Sequence, residues 1–425
     1  MAHYLVAAST IPGHLSPLLE LGSDLARRGH DVSFLADSEY RAQIRRRGMR
    51  HVPLPPAGSP RTDRPLPVAT GLVQRFLTGR HDMSAVFVAP LATQWIALQR
   101  LLDKRRVDAV LCDVAFTGVM PLLLSALPRP AVVVCGVSPL MLSSPDTPPF
   151  GMGWQPEPFM DYRMMHRVVG DVLFRGIRSQ LDDALRSVGA PRSPVFLTDW
   201  PLLADHVVQL SIPGLEYPRH DLPDTVSFAG PVLPRGVPSR LAQRPKRCEK
   251  TVVHVTQGTW DNCDLGELVI PTVRALHSRP DVAIIATTGQ PGRCTLPIAL
   301  PGNTFVSDYV PYGKLLPAVD VMVTNGGFGG VHYALAHGIP LVIAGAASDK
   351  PEVAARVAYA GAGIDLRTSR PKARDVADAV DRVLTQPRYR IAARRLRGEI
   401  LRYNAFEHVA QTLAQCGVGI GEYVS

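Results

Sequence analysis

A chain of 425 residues exceeds what one hydrophobic core usually supports, so two domains, or one domain with large insertions, is the expected organisation. With 46% hydrophobic and 20% charged residues the composition excludes global disorder, and six cysteines that stand singly exclude a disulfide framework or a zinc site of ordinary spacing. The formal charge of +9 comes from clusters such as Arg45–Arg47, Lys104–Arg106 and Arg394, Arg395 and Arg397, each beside an expected helix and without interleaved aromatics, which reads as solvated helix faces and no nucleic-acid surface.

The opening stretch MAHYLVAASTIPGHLSPLLEL lacks a basic signal-peptide start, and no segment reaches about 18 uninterrupted apolar residues, the length of a membrane span. A cytoplasmic protein with no membrane span is expected. Residues His3 to Ala8 read as a buried strand and Pro17 to Arg28 as an amphipathic helix ended by Gly29. Asp31 to Ala36 is the next strand, Glu39 to Arg47 a helix stopped by Gly48, Val107 to Cys112 a strand, Thr117 to Ala126 a helix and Ala131 to Cys135 a strand. Such alternation predicts a doubly wound parallel sheet of the α/β class.

Two segments rich in Pro and Gly, Pro53 to Gly71 and Ser138 to Pro158, interrupt the rhythm and read as long loops. A helical stretch follows from about Phe159 to Val188, then a turn-rich passage ending near Gly230. Residues 231–250 combine four prolines with six basic residues and no apolar period, as an interdomain linker would. The rhythm then resumes with strands at Thr251 to Thr256, Val282 to Thr287, Thr304 to Ser307, Val321 to Thr324 and Leu341 to Ile343, and helices at Leu265 to Ser278 and Gly330 to His337. The expected division is therefore 1–230, linker 231–250, 251–403, and a helix and tail at 404–425 that packs back toward the first domain. Two Rossmann-like domains joined in this way face each other across a ligand cleft.

The turn after the first strand, STIPGHLSPLLEL, lacks the three glycines of a dinucleotide fingerprint. It offers His14 at the carboxyl edge of the sheet, where an imidazole can remove a proton from a hydroxyl or amine. A lone histidine near a helix start is more often a cap or a packing residue. Asp113, ending the strand VDAVLC on the same edge, would orient the ring and stabilise its protonated form, or else cap the following helix. The adjacent Cys112 lies in an apolar strand and reads as packing.

The strongest signal runs from Val321 to Leu366, where an apolar strand leads into the turn Asn325-Gly326-Gly327-Phe328-Gly329-Gly330 and a helix. Glycines let the backbone approach a ligand, and N–H groups at a helix start suit a diphosphate. A second such turn, VTQGTW with Gly258 and Thr259, converges on the same cleft.

These segments resemble the family-one glycosyltransferases, the UDP-glycosyltransferases and antibiotic macrolide-type glycosyltransferases of GT-B fold. The likeness runs in order from Gly13-His14 and Pro17 through Asp113, Gly258-Thr259 and Asn325–Gly330 to Asp349-Lys350-Pro351. It implies an inverting, NDP-sugar-dependent hexosyltransferase of secondary metabolism, with His14 as base on the acceptor and Asp113 supporting it. It further implies that Thr259 and the turn from Asn325 to Gly330 hold the diphosphate, that Val310 and Pro311 flank the nucleobase, and that Asp349 binds sugar hydroxyls. Asn325 stands where the family commonly has a histidine, Gly330 where it often has Ser or Thr, Tyr333 where a glutamate often binds the ribose, and Lys350 where Gln is frequent. Without that glutamate, selection between UDP and dTDP loses an obvious determinant.

No Asp-x-Asp pair is present, so metal-independent activity without a cofactor is expected. Between Ser143 and Met165, Phe150, Met152, Trp154 and Met160 either line an adaptable apolar acceptor pocket or pack between domains. The expected partners are a nucleotide-sugar and a small apolar acceptor such as a natural product. Two other readings fit the same architecture: a sugar-nucleotide epimerase, which needs no acceptor pocket, and a nucleotide-sugar-binding protein without turnover.

Overall fold

A computed structural model of the chain describes residues 1–56, 71–233, 250–259 and 262–418. Most of the expected linker, Trp260 and the last residues of the tail therefore lie outside the described residues, as does most of the loop expected at Pro53 to Gly71.

Seven strands form the first sheet: β1 (His3–Ala7), β2 (Asp31–Asp37), β3 (Arg50–Leu54), β4 (Ala109–Asp113), β5 (Ala131–Gly136), β6 (His206–Gln209) and β7 (Val226–Phe228). All pair in parallel in the order β3-β2-β1-β4-β5-β6-β7. Helices cover both faces, which is why β4 and β5 read as unbroken apolar runs and are buried throughout. The second sheet contains β8 (Thr251–Thr256), β9 (Val282–Thr287), β10 (Thr304–Ser307), β11 (Val321–Thr324), β12 (Leu341–Ile343) and β13 (Gly363–Asp365), again all parallel, in the order β10-β9-β8-β11-β12-β13. The two doubly wound parallel-sheet domains expected from the α/β rhythm are thus present.

Each sheet reverses its winding once, between β1 and β4 in the first and between β8 and β11 in the second. At such switch points neighbouring connections leave in opposite directions, and a crevice opens at the carboxyl ends of the strands. His14 follows β1 and Asp113 ends β4; Gly258 follows β8 and Asn325 follows β11. Both candidate clusters therefore stand at switch points.

Several expected elements differ from those observed. The first helix spans Pro12–Arg27, beginning five residues before Pro17, so His14 belongs to its first turn and not to a loop. Pro12 supplies the start, because a first-turn residue needs no N–H partner and its φ is already helical. The helix expected at Thr117 to Ala126 shrinks to a 3₁₀ turn at Thr117–Val119 and one α-turn at Met120–Leu123, with the Gly118 N–H taken by the Gln94 side chain at 2.9 Å. The turn-rich passage before Gly230 holds β6 and β7, too short to show a period.

The helical run Phe76–Leu102 is long and apolar enough by length and composition to cross a membrane. Its apolarity has a local use: Phe76, Met83 and Phe87 face the cleft, and the run packs against the helix Arg175–Ser187. The helix Ala405–Val418 lies on β4, β5 and β6 of the first sheet, with Glu407 accepting from Arg28 at 2.9 Å.

Candidate active site

His14 and Asp113 are brought together by the pairing of β1 with β4. The His14 Nδ1 lies 2.9 Å from Asp113 Oδ1, and the Asp113 carboxylate is completely buried. That carboxylate also accepts from the Ser9 N–H at 2.6 Å, the Ser9 hydroxyl at 3.0 Å and the Ala115 N–H at 2.8 Å. Asp113 thus both caps the turn after its strand and holds the histidine. An ionised carboxylate can only accept, so Nδ1 is the donor in this bond, and in a neutral ring Nε2 is then the nitrogen that keeps a lone pair, on a residue that lines the cleft. Cys112 is buried in the same strand, and burial pushes its thiol well above the ordinary range, as packing requires.

Across the cleft stand the glycine turns of the second sheet. Gly326 turns the chain at φ +90, and a Cβ there would meet Ile343 at 2.8 Å, so it shapes the turn while remaining outside the cleft lining. Gly327, Gly329 and Gly330 line the cleft, as do Gly258 and the exposed Thr259. Gly327 caps the helix Phe328–Ala336, whose first N–H groups lack intrahelical partners and face a potential anion. Asn325, expected to donate toward the diphosphate, spends an amide hydrogen on the Gln257 carbonyl at 2.6 Å and so ties the two glycine turns together. The backbone N–H groups at the helix start are therefore the donors this turn has available for an anion. A Cβ on Gly329 would meet nothing within 4 Å. Gly329→Val should consequently fold as the parent does and weaken UDP or dTDP binding by about tenfold or more, read by calorimetry.

The cleft has a volume of about 1340 Å³, larger than a typical single-ligand pocket and enough for two substrates. Val310, Asp349 and Lys350 line it, together with Tyr309, Tyr312 and Tyr333. The rings of Tyr312 and Tyr333 meet edge to face at 5.5 Å, and burial pushes the Tyr333 hydroxyl up to about 12, so it stays neutral. Asp349 makes no cap to the helix Lys350–Tyr359, and burial raises its carboxyl pKa, with Lys350 and His14 opposing that rise. Tyr309 and Tyr312 escaped the sequence reading because an aromatic at a turn or in a single helical turn carries no periodic signal, whereas Tyr333, inside the helix Phe328–Ala336, was noted there in place of a glutamate.

On the acceptor side the structure divides the expected set. Phe150 and Met152 line the cleft, whereas Trp154 and Met160 do not: they lie on the outside, 39% and 43% exposed. Glu352 causes this division. Its Oε1 accepts from the N–H groups of Gly151 at 2.8 Å and Gly153 at 2.7 Å, which pins the loop to the helix Lys350–Tyr359 and sends the chain beyond Gly153 away from the cleft. Glu352 is held in turn by Arg356 at 2.7 Å, and Arg356 reaches Glu216 of the first domain at 2.6 Å, all three side chains being buried. Burial works against the Arg356 charge, yet the two carboxylates hold its pKa above the ordinary value. Further apolar lining includes Phe76, Met83, Val86, Phe87, Leu173 and Phe174.

The geometry can be set beside known proteins. The family model described as erythromycin biosynthesis protein CIII-like, C-terminal domain, matches residues 275–416. The chain is similar to the 4'-demethylrebeccamycin synthase of Lentzea aerocolonigenes, at 36% identity over 94% of this chain and 95% of that protein. It is also similar to UDP-glucosyltransferase 1 of Beauveria bassiana, at 32% identity over 96% of this chain and 93% of that protein. The solved structure of the glycotransferase of kitacinnamycin has a TM-score of 0.74 and 23% identity, covering 98% of each chain, and shares the fold.

Proposed function

Because the chain belongs to the glycosyltransferase family of these relatives and has the GT-B fold, we propose that it is an inverting hexosyltransferase using a UDP- or dTDP-sugar. The acceptor is a small, largely apolar molecule, as in antibiotic and other secondary metabolism, with a hydroxyl or N–H as the reacting group. The observation that carries this reading is the His14–Asp113 pair at 2.9 Å, set at one switch point opposite the glycine turns at the other.

In the reaction the acceptor O–H or N–H gives its proton to His14 Nε2 while its lone pair forms the bond to the anomeric carbon. The bond from that carbon to the diphosphate oxygen breaks, and the nucleoside diphosphate leaves with the electron pair. Attack from the face opposite the leaving group inverts the anomeric centre. Asp113 holds the neutral ring in the tautomer with its proton on Nδ1 before the step and stabilises the imidazolium after it. Backbone N–H groups at the start of the helix Phe328–Ala336 take up charge on the leaving diphosphate. Tyr333 offers the ribose a neutral hydroxyl in place of a carboxylate, which supports use of either UDP or dTDP. The apolar half of the cleft supports transfer over epimerisation, which has no second substrate to house.

One assay separates the readings. NDP release with acceptor present and a product heavier by one sugar supports the transferase; an epimerised donor, or binding without turnover, contradicts it. Among the described residues no group of three or more His, Cys, Asp or Glu side chains is placed to hold a metal. Turnover is accordingly expected to survive EDTA, and strong inhibition reversed by magnesium or manganese would refute metal independence.

A further inference from the structure

We propose that Asp82 recognises a basic amine on a substrate, holding it beside the reacting atoms; the inference rests on the transferase reading above. Asp82 ends the helix Gly71–Asp82 where the chain passes into the π-helical turn Met83–Val88, a departure from α-geometry that often marks a functional position. It lines the cleft and is half-buried, in a lining that also includes Met83, Val86, Phe87, Leu173 and Phe174. Among the described residues no hydrogen bond reaches its carboxylate.

The charges around Asp82 come from both domains. His81 on its own helix, and Lys350 and Asp349 from across the cleft, all act on it. Lys350 also acts on Asp349, so one ammonium faces two carboxylates. The other carboxylates of the lining already have partners: Glu20 accepts from Arg47 at 3.0 Å, and Asp308 accepts from the N–H groups of Gly292 at 2.9 Å and Tyr309 at 2.8 Å. Among the described residues Asp82 makes no ion pair, and the charges of His81 and Lys350 act on it only from a distance. A half-buried carboxylate in that position is costly unless a cation meets it. Burial accordingly pushes the Asp82 carboxyl up to about 6, so it is ionised at neutral pH and ready to pair. A neutral hydroxyl would give it one hydrogen bond; an ammonium gives a charge-assisted bond and cancels the excess charge.

The amine could sit on the sugar, beside Asp349, or on the acceptor, against the apolar wall. Both sources share the chemistry, and matched pairs distinguish them. The full-length enzyme and Asp82→Asn are assayed with an aromatic alcohol carrying an aminomethyl group against its hydroxymethyl counterpart, and with dTDP-4-amino-4,6-dideoxyglucose against dTDP-6-deoxyglucose. NDP release and product mass give kcat/KM for each. In one pair the wild-type enzyme should prefer the amine by about tenfold or more at pH 7.5, and Asp82→Asn should abolish that preference. In the wild type the preference should also fade as the pH falls through about 6, because protonation removes the Asp82 charge while the amine keeps its own. Taking the ratio within a pair cancels whatever pH dependence the transfer step itself has, since that step is common to both members. Turnover without preference in either pair, or an equal preference in Asp82→Asn, overturns the inference and leaves the transferase reading standing. No NDP release with any of the four overturns both.

Discussion

Replacing His14 with alanine is expected to lower kcat by at least about two orders of magnitude while leaving UDP and dTDP affinity nearly unchanged. The size follows from general-base catalysis, which typically contributes about 10²- to 10⁴-fold where a proton must leave as the new bond forms. The selectivity follows from placement: His14 follows β1 of the first sheet, whereas the glycine turns proposed to hold the diphosphate follow β8 and β11 of the second. Asp113→Asn should act through the same proton. It keeps the shape but exchanges the carboxylate for a neutral amide, so the charge that stabilises the imidazolium is lost, and wherever the amide NH2 faces Nδ1 the ring takes the tautomer that presents an N–H instead of a lone pair to the acceptor. Because Asp113 is completely buried and also bonds Ser9 and Ala115, this variant should lose stability as well, by about 1–3 kcal/mol, which thermal unfolding will show. Wild-type turnover by a folded His14→Ala enzyme would refute the base, unless the acceptor is acidic enough to attack as an anion; acceptors of graded pKa expose that case.

Arg356→Ala is expected to be the most destabilising single change. It would strand the buried carboxylates of Glu216 and Glu352 without their shared counterion, and breaking a buried pair in this way typically costs about 3–5 kcal/mol. At about 2–4 °C per kcal/mol for a domain of this size, the midpoint of thermal unfolding should fall by roughly 6–20 °C. Arg356 also stacks over the Tyr217 ring at 4.4 Å and belongs to the assembly that pins Gly151 and Gly153, so acceptor KM should rise more than donor KM. An unchanged midpoint would show that water reaches the carboxylates and that the triad holds nothing in place.

The two sheets were legible because parallel strands covered on both faces must be apolar throughout, and the helices between them carry their own stops, such as Gly29 and Gly48. The edge positions of His14 and Asp113 follow from the same rhythm. Boundaries were harder: Pro12 and Pro17 are both acceptable near a helix start, and the bonds from the His14 and Leu15 N–H groups to the Ile11 carbonyl, each 2.9 Å, settle which one begins it. On composition alone the sequence reading placed Trp154 and Met160 either in the acceptor pocket or between the domains. What turns them out is Glu352, about 200 residues distant along the chain, and no local pattern reports such a contact. Arg356 and Glu216 were silent for the same reason, being 140 positions apart. Asp82 was silent because an acidic residue at the end of an amphipathic helix is ordinarily solvated.

The most direct test of the central claim is the anomeric configuration of the product. UDP-α-glucose or dTDP-α-glucose is supplied with an apolar hydroxyl acceptor, and the coupling between H1 and H2 of the isolated glycoside is read by NMR. Single displacement by an acceptor that His14 deprotonates predicts the β-glycoside, with one NDP released per product. An α-glycoside would contradict the account.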